Sequence, residues 1–354
     1  MRLRILLVTL AIVVILLAGC TRPTEQPLPD EATVIYASDM NTEIYVRSFG
    51  TIYGYDWETL ELTSQIFIGE GIRMTFSGDR QYLYVISSDK GALSMVNTRT
   101  NALEKTIALN TAPVDIIYLP DSNSICVALQ PQRAIQVLRA DDLGIISTFQ
   151  LDGFPYRLAR SPDGSVIYTN MSSQLDKSPT SLLALDQREG TILGTTELAK
   201  GSYELAVPQH GKHIYISKWA SGSVTVVDSE TLQVARNFED ITKLQFPDST
   251  LDGIAVSPDD DYLYFCDGQS DYIRAIELQE GKLNKEITLK RLSGIFITNS
   301  GRYLFAVYQG WFDMHNPSNK TPGSLYVIDI DAWQVIHQFD IVFGSVGVVA
   351  SPSL

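Results

Sequence analysis

The sequence predicts an all-β protein, a seven-bladed β-propeller of four-stranded blades, with its ring closed by the C-terminal strand joining N-terminal strands. Three observations carry this reading. Beyond Ala32, short runs of Val, Ile, Leu, Tyr and Phe alternate with turns rich in Asp, Gly, Ser, Asn and Pro, and almost no helical period is present. One unit recurs along the chain: apolar strand, tight turn, aromatic strand, loop, apolar strand, polar turn, last strand. The chain also stops just after an apolar strand and turn, Val346 to Pro352, whose missing partner strands are found only near the N-terminus.

The first turn of the unit is copied at Ser77-Gly78-Asp79, Pro120-Asp121, Ser161-Pro162-Asp163-Gly164, Pro208-Gln209-His210-Gly211, Ser257-Pro258-Asp259-Asp260, Asn299-Ser300-Gly301 and Ser351-Pro352. After it comes an aromatic-rich strand, with Tyr84, Cys126, Tyr168, Tyr215, Tyr264 and Phe305 at equivalent places, 41 to 49 residues apart. That period holds four short strands and their turns, the size of a propeller blade. Polar hairpin tips follow at Trp57-Glu58-Thr59, Thr98-Arg99-Thr100, Asp141-Asp142, Gln187-Arg188-Glu189, Ser229-Glu230-Thr231, Gln279-Glu280-Gly281 and Asp331-Ala332. Strands between about Thr33 and Ile68 complete the blade that the C-terminal strand begins. Closing a ring in this way hydrogen-bonds the chain ends and leaves no open edge across which it could split.

A chain of 354 residues with 45% hydrophobic content can bury a large core. Its net charge of -14 argues against a cationic, phosphate-binding surface, so nucleic acid is not an expected partner. Residues 1–19 read as an export signal: Arg2 and Arg4, an apolar run from Ile5 to Leu17, then Ala18 and Gly19. The run is shorter than the roughly 20 residues a helix needs to span a bilayer, which disfavours a permanent membrane helix. Residues 20–32, Pro-rich and polar, read as a tether, and residues 33–354 as the propeller.

Leu17-Ala18-Gly19-Cys20 resembles the lipobox of bacterial lipoproteins. The resemblance implies cleavage before Cys20 and a lipid on its sulfur, hence a membrane partner through the N-terminal lipid and a place in the bacterial cell envelope outside the cytoplasm. Ser161 to Asn170, His213 to Asp228 and Ser257 to Asp267 resemble the YVTN-type β-propeller repeat family, seen in exported and surface-layer proteins. That likeness covers nearly the whole mature domain and specifies fold far more than function. Two departures stand out, Cys126 in place of the usual aromatic and Gln209 where the turn would carry Asp. The remaining cysteines, Cys126 and Cys266, fall in blades three apart, too distant for a disulfide, and are expected to be buried free thiols.

Candidate binding residues gather where a propeller opens. Arg73, Asp115, Tyr156 with Arg157, Tyr203 with Glu204, and Asp252 stand near the starts of the innermost strands. Packing of a blade requires none of these charges. They form either a polar pocket at the channel mouth or a ring of mutual ion pairs holding blades in register. Gln309 to Gly323, the longest insertion, brings Trp311, Phe312 and His315 to the same face, with Ser172 to Thr180 and Trp219 beside it. The two tryptophans read either as anchors of a recognition surface or as lids over the channel.

Catalytic motifs are sparse: the chain has no Gly-x-Ser-x-Gly elbow, no phosphate-cradling loop and no Cys-x-x-Cys pair. His210 with His213, and Asp259-Asp260-Asp261, read as solvated turn residues rather than metal ligands. No cofactor and no metal site are expected. The favoured function is a monomeric, lipid-anchored module binding an envelope protein or small ligand. The alternative implied by similar-looking propellers is a lactonase or cofactor-dependent oxidoreductase, with Asp115, Glu204, Asp252 or His315 around a metal or substrate at the mouth.

Overall fold

The computed structural model describes residues 43–48, 51–56, 61–69, 71–174, 180–218, 222–239, 241, 251–267, 271–289, 292, 294–298, 300–308, 310–313, 316–341 and 345–350. Among the described residues, every regular element is a strand apart from two single-turn 3-10 helices. The first described strands are β1 (Glu43–Ser48), β2 (Thr51–Asp56) and β3 (Leu62–Phe67). Next come β4 (Gly71–Phe76), β5 (Tyr82–Ser87), β6 (Ala92–Asn97) and β7 (Ala102–Ala108). The following group is β8 (Asp115–Leu119), β9 (Ser124–Leu129), β10 (Ala134–Arg139) and β11 (Ile145–Gln150). After these run β12 (Phe154–Arg160), β13 (Val166–Ser172), β14 (Ser181–Asp186) and β15 (Ile192–Glu197). Then follow β16 (Ser202–Ala206), β17 (His213–Lys218), β18 (Ser223–Asp228) and β19 (Val234–Phe238). β20 (Leu251–Val256), β21 (Tyr262–Asp267), β22 (Tyr272–Glu277) and β23 (Lys282–Thr288) make the next group. The last is β24 (Gly294–Ile297), β25 (Tyr303–Tyr308), the hairpin β26 (Trp311–Asp313) and β27 (Asn316–Thr321), β28 (Gly323–Asp329), β29 (Gln334–Ile341) and β30 (Ser345–Ala350).

These strands form seven antiparallel four-stranded sheets and the β26–β27 hairpin. Six sheets are made of consecutive strands, one of them interrupted by that hairpin. In the remaining sheet the order is β3-β2-β1-β30, so the last described strand pairs with the first described strand, Val46 opposite Val348. Innermost strands touch in the sequence β4, β8, β12, β16, β20, β24, β30 and back to β4. The chain is thus a β-propeller with four-stranded blades.

Position within a blade sets burial. The second strand packs between neighbouring blades on both faces, and β9 (Ser-Ile-Cys-Val-Ala-Leu) is buried at every residue. The outermost strand is an edge, and β11 exposes Ile145 and Ile146 while burying only Phe149. The aromatic at the third place of the second strand locks one blade to the next. Tyr84 Oη donates to the Ala140 carbonyl at 3.0 Å, Tyr215 Oη donates to Asp260 at 2.6 Å, and Tyr264 stacks on Trp333. All three tyrosines are buried, and the Tyr84 and Tyr215 hydroxyls find there the partners that burial demands. Cys126 and Cys266 are buried thiols outside any disulfide, as expected, and burial pushes the Cys126 thiol up.

Turn chemistry is shared among blades. The Ser77 and Ser161 hydroxyls donate to Asp79 and Asp163 and accept the N–H of Tyr82 and Val166, closing the first turn. The last position of that turn takes positive φ, held by Gly164 at 72° and Gly301 at 73°. Asp260 occupies it at 67°, a conformation that Asp tolerates better than most residues. Here the solvated-turn reading of Asp259-Asp260-Asp261 is corrected for its middle member. The Asp260 side chain is mostly buried and joins two blades, accepting from Tyr215 and lying 2.7 Å from His213 Nδ1. The turn bends the chain so that this carboxylate projects back onto the preceding blade.

Removing residues 345–354 takes away β30, leaving β1 as an open edge and β4 without the inner strand beside it. The expected outcome is a broadened thermal unfolding transition at lower temperature, with increased aggregation, measured by calorimetry against the full chain.

Candidate functional site

The mouth of the ring is built on irregularities in the inner strands. Pairing of β12 with β13 shifts register between Pro155 and Leu158, and that of β16 with β17 between Ser202 and Leu205. These bulges place Tyr156-Arg157 opposite Asn170 and Tyr203-Glu204 opposite Ser217. A bulge re-aims the side chains it carries, and here it turns two pairs into the mouth.

Four charged side chains from four consecutive blades converge. Arg73 Nη2 on β4 donates to Glu204 Oε1 at 2.8 Å and Oε2 at 3.1 Å. Arg157 on β12 donates to the same Oε1 from Nε at 2.9 Å and Nη2 at 2.7 Å. Asp115 on β8 lies 3.8 Å from Arg73 Nε and accepts two backbone N–H groups, from Ile116 at 2.9 Å and from Leu158 in the next blade at 2.8 Å. Arg157 also lies over the Tyr156 ring at 4.4 Å, and Tyr156 meets Tyr203 edge to face at 5.2 Å.

The two carboxyls are driven in opposite directions. Burial pushes Asp115 above its ordinary range, a rise that Arg73, Arg157 and the Leu158 N–H counter only in part. Burial acts the same way on Glu204, but the charges and hydrogen bonds of Arg73 and Arg157 prevail and hold it at about 2. Against its own burial, Arg157 is raised by Glu204 and Asp115. Burial also raises the Tyr156 phenol.

Of the residues predicted for this face, Arg73, Asp115, Tyr156, Arg157, Tyr203 and Glu204 are brought together. Asp252 lies on β20 as the extra residue between Leu251 and Gly253, so it falls in the bulge with Tyr156 and Tyr203, while Gly253 takes the place equivalent to Arg73. Trp311 and Phe312 lie on β26, and the long insertion is a hairpin rather than an irregular loop. The side chains of Asp252, Trp311 and Phe312, and Cys20, Trp219 and His315 altogether, lie outside the described residues.

Two contributors escaped the reading of the sequence. Buried Asn170 accepts the Arg157 N–H at 2.8 Å and donates to the carbonyls of Ser202 and Tyr203 at 2.9 and 2.7 Å. Ser217 accepts the Glu204 N–H at 3.2 Å. Asn170 carried a signal, as a lone amide ending the run Val-Ile-Tyr-Thr-Asn, where Ile86 and Ala128 stand in the preceding blades.

Elsewhere on this face a shallow cleft of about 290 Å³ is lined by Ser88, Asp89, Lys90, Asn110 and Thr111. Its Lys90 is taken up by the Ile68 carbonyl at 2.7 Å. Among the described residues, no group of three or more His, Cys, Asp or Glu could hold a metal ion, and no helix is long and apolar enough to cross a membrane.

The sequence matches no known family model and no curated protein. Solved structures show the fold. The chain is similar to Kuenenia stuttgartiensis hydrazine synthase, with TM-score 0.64 and 15% identity over 83% of this chain and 95% of that one. It is also similar to the Cps50 (Swd1) β-propeller domain of Myceliophteria thermophila, with TM-score 0.63 and 12% identity over 75% and 90% of the two chains. A third similar structure is the dihydro-heme d1 dehydrogenase NirN in complex with DHE, with TM-score 0.60 and 15% identity over 88% and 66%.

Because Glu204 falls from its ordinary value near 4.5 to about 2 on folding, its contribution is present above pH 4.5 and is lost as pH drops toward 2. Glu204→Gln is expected to lower stability by about 2–3 kcal/mol at pH 6 and to converge with the parent near pH 2, read from urea midpoints along a pH series.

Proposed function

We propose that this protein is an exported, lipid-anchored, seven-bladed propeller of YVTN type that serves as a binding module in the bacterial cell envelope, with the channel-mouth face as its recognition surface. One observation carries the binding part: four charged side chains and two tyrosines from four blades meet at the mouth, although the core needs none of them. The circle of contacts among inner strands and the β1–β30 pairing support the seven-bladed closed ring. Support for the anchor comes from the leader and Leu17-Ala18-Gly19-Cys20. Two of the similar structures are named as enzymes and one as a propeller domain, so likeness of fold does not choose among functions.

Replacing the lipidated residue, Cys20→Ser, is expected to move the protein from the detergent-extracted membrane fraction into the soluble envelope fraction, detected by blotting. For binding, wild-type protein and the Trp219→Ala/Trp311→Ala double variant are used as bait in detergent-solubilised membranes. The reading expects partners recovered by the wild type to be lost by the variant, and an unchanged set would overturn it.

A further inference from the structure

Among the described residues, charge gathers on one side of the mouth, and strand register shows why. In each blade one inner-strand residue faces the fifth residue of the second strand. In ring order these are Arg73 against Ile86, Asp115 against Ala128, Arg157 in the bulge facing Asn170, and Glu204 in the bulge facing Ser217. The next three are Gly253 against Cys266, Gly294 against Val307, and Gly347 against Arg47. Four consecutive blades carry a charge at this level, and the next three carry glycine at it, with Asp252 one place earlier in the β20 bulge.

Arg73 and Glu204 are the two ends of the charged run, so their 2.8 Å ion pair crosses the mouth as a bar. Asp115, Arg157 and Tyr156 occupy the sector on one side of it. Glycine lines the other. A Cβ at Gly253 would lie 2.9 Å from the Ile295 nitrogen, so glycine there lets β20 and β24 approach closely. A Cβ at Gly294 would meet nothing within 4 Å, and its backbone is not left-handed, so neither crowding nor conformation requires glycine at that point. Gly294 borders open space.

Exposure sorts the charges. Side-chain accessibility rises from 8% for Asp115 and 14% for Arg157 to 23% for Glu204 and 37% for Arg73. Arg73 is the most exposed of the four, so a ligand entering the open sector meets its guanidinium first. Arg73 engages Glu204 through Nη2 alone, and its Nε is too far from Asp115, at 3.8 Å, for a hydrogen bond. Glu204 is already shared by two guanidinium groups, which leaves it a poor partner for a cationic ligand.

We propose that the glycine-lined sector binds a small planar carboxylate, its anionic group on the free edge of Arg73 and its apolar body against the backbone at Gly294 and Gly347. Guanidinium and carboxylate form charge-assisted pairs, and a flat body can approach the backbone where glycine leaves no Cβ. This rests on the mouth being the recognition face and adds the chemistry of what it takes.

The test titrates the full chain in detergent with fluorobenzoate, followed by fluorine NMR, with fluorobenzylamine as the cationic counterpart. Saturable fluorobenzoate binding is expected. Gly294→Leu, which fills the open space without altering a charge, and Arg73→Ala should each weaken it by about tenfold or more, or about 1.4 kcal/mol. Arg73→Lys should fall in between, since lysine keeps the charge but loses the fork. Gly294→Ala stands in if the leucine variant does not fold. Absence of saturable fluorobenzoate binding, equal binding by the folded Gly294 variant, or preference for fluorobenzylamine would overturn the proposal. If tryptophan-dependent partner capture persists in that case, only the ligand class is wrong and the recognition face stands.

Discussion

Antiparallel pairing of β1 with β30 is the constraint on which the rest depends. Each blade buries its faces only against its two neighbours, so a blade at an open end would leave an apolar face in water. Joining the two ends of the chain in one sheet removes both exposed faces at once. It also fixes the circumference, which decides how far apart the inner strands stand and which side chains can meet across the mouth. The Arg73–Glu204 contact between non-adjacent blades exists only because the circle is closed.

Within that circle, neighbouring blades are joined by two kinds of polar contact. On the face of the first turns, Asp260 reaches back to Tyr215 and His213. At the mouth, the Asp115 carboxyl accepts the Leu158 N–H across a blade boundary, and Asn170 bridges to two carbonyls of β16. Buried polar groups of this sort cost desolvation unless every partner is supplied, and here backbone groups supply most of them. The two readings of the charged ring are therefore both partly realised. Asp115 and Arg157 act chiefly as blade-to-blade ties, while Arg73 keeps an exposed edge.

The repeating unit was legible because turn residues and strand alternation are local signals. Serine and aspartate two residues apart close the first turn at Ser77 and Asp79 and again at Ser161 and Asp163, and a tyrosine at a fixed place in the second strand is buried in blade after blade. Asp260 was misread for a related reason. Its own turn looks solvated in sequence, and only the preceding blade, folded against it, buries the carboxylate. The gathering of Arg73, Asp115, Arg157 and Glu204 could be anticipated from their shared place in the repeat, whereas Asn170 and Ser217 act from the second strand, one strand removed from the residues they hold.

Taken alone, the order of amino acids determined the strand content, the blade period, the joining of the two chain ends and the set of charges near the mouth, because each of these follows from short-range pattern and covalent order. Tertiary structure decided which charges pair, which carboxyl is raised and which lowered, and that Gly253 rather than Asp252 stands level with Arg73. Those outcomes depend on bulges that shift register by one residue and on distances between strands more than a hundred residues apart, and neither is written in any local stretch of the chain.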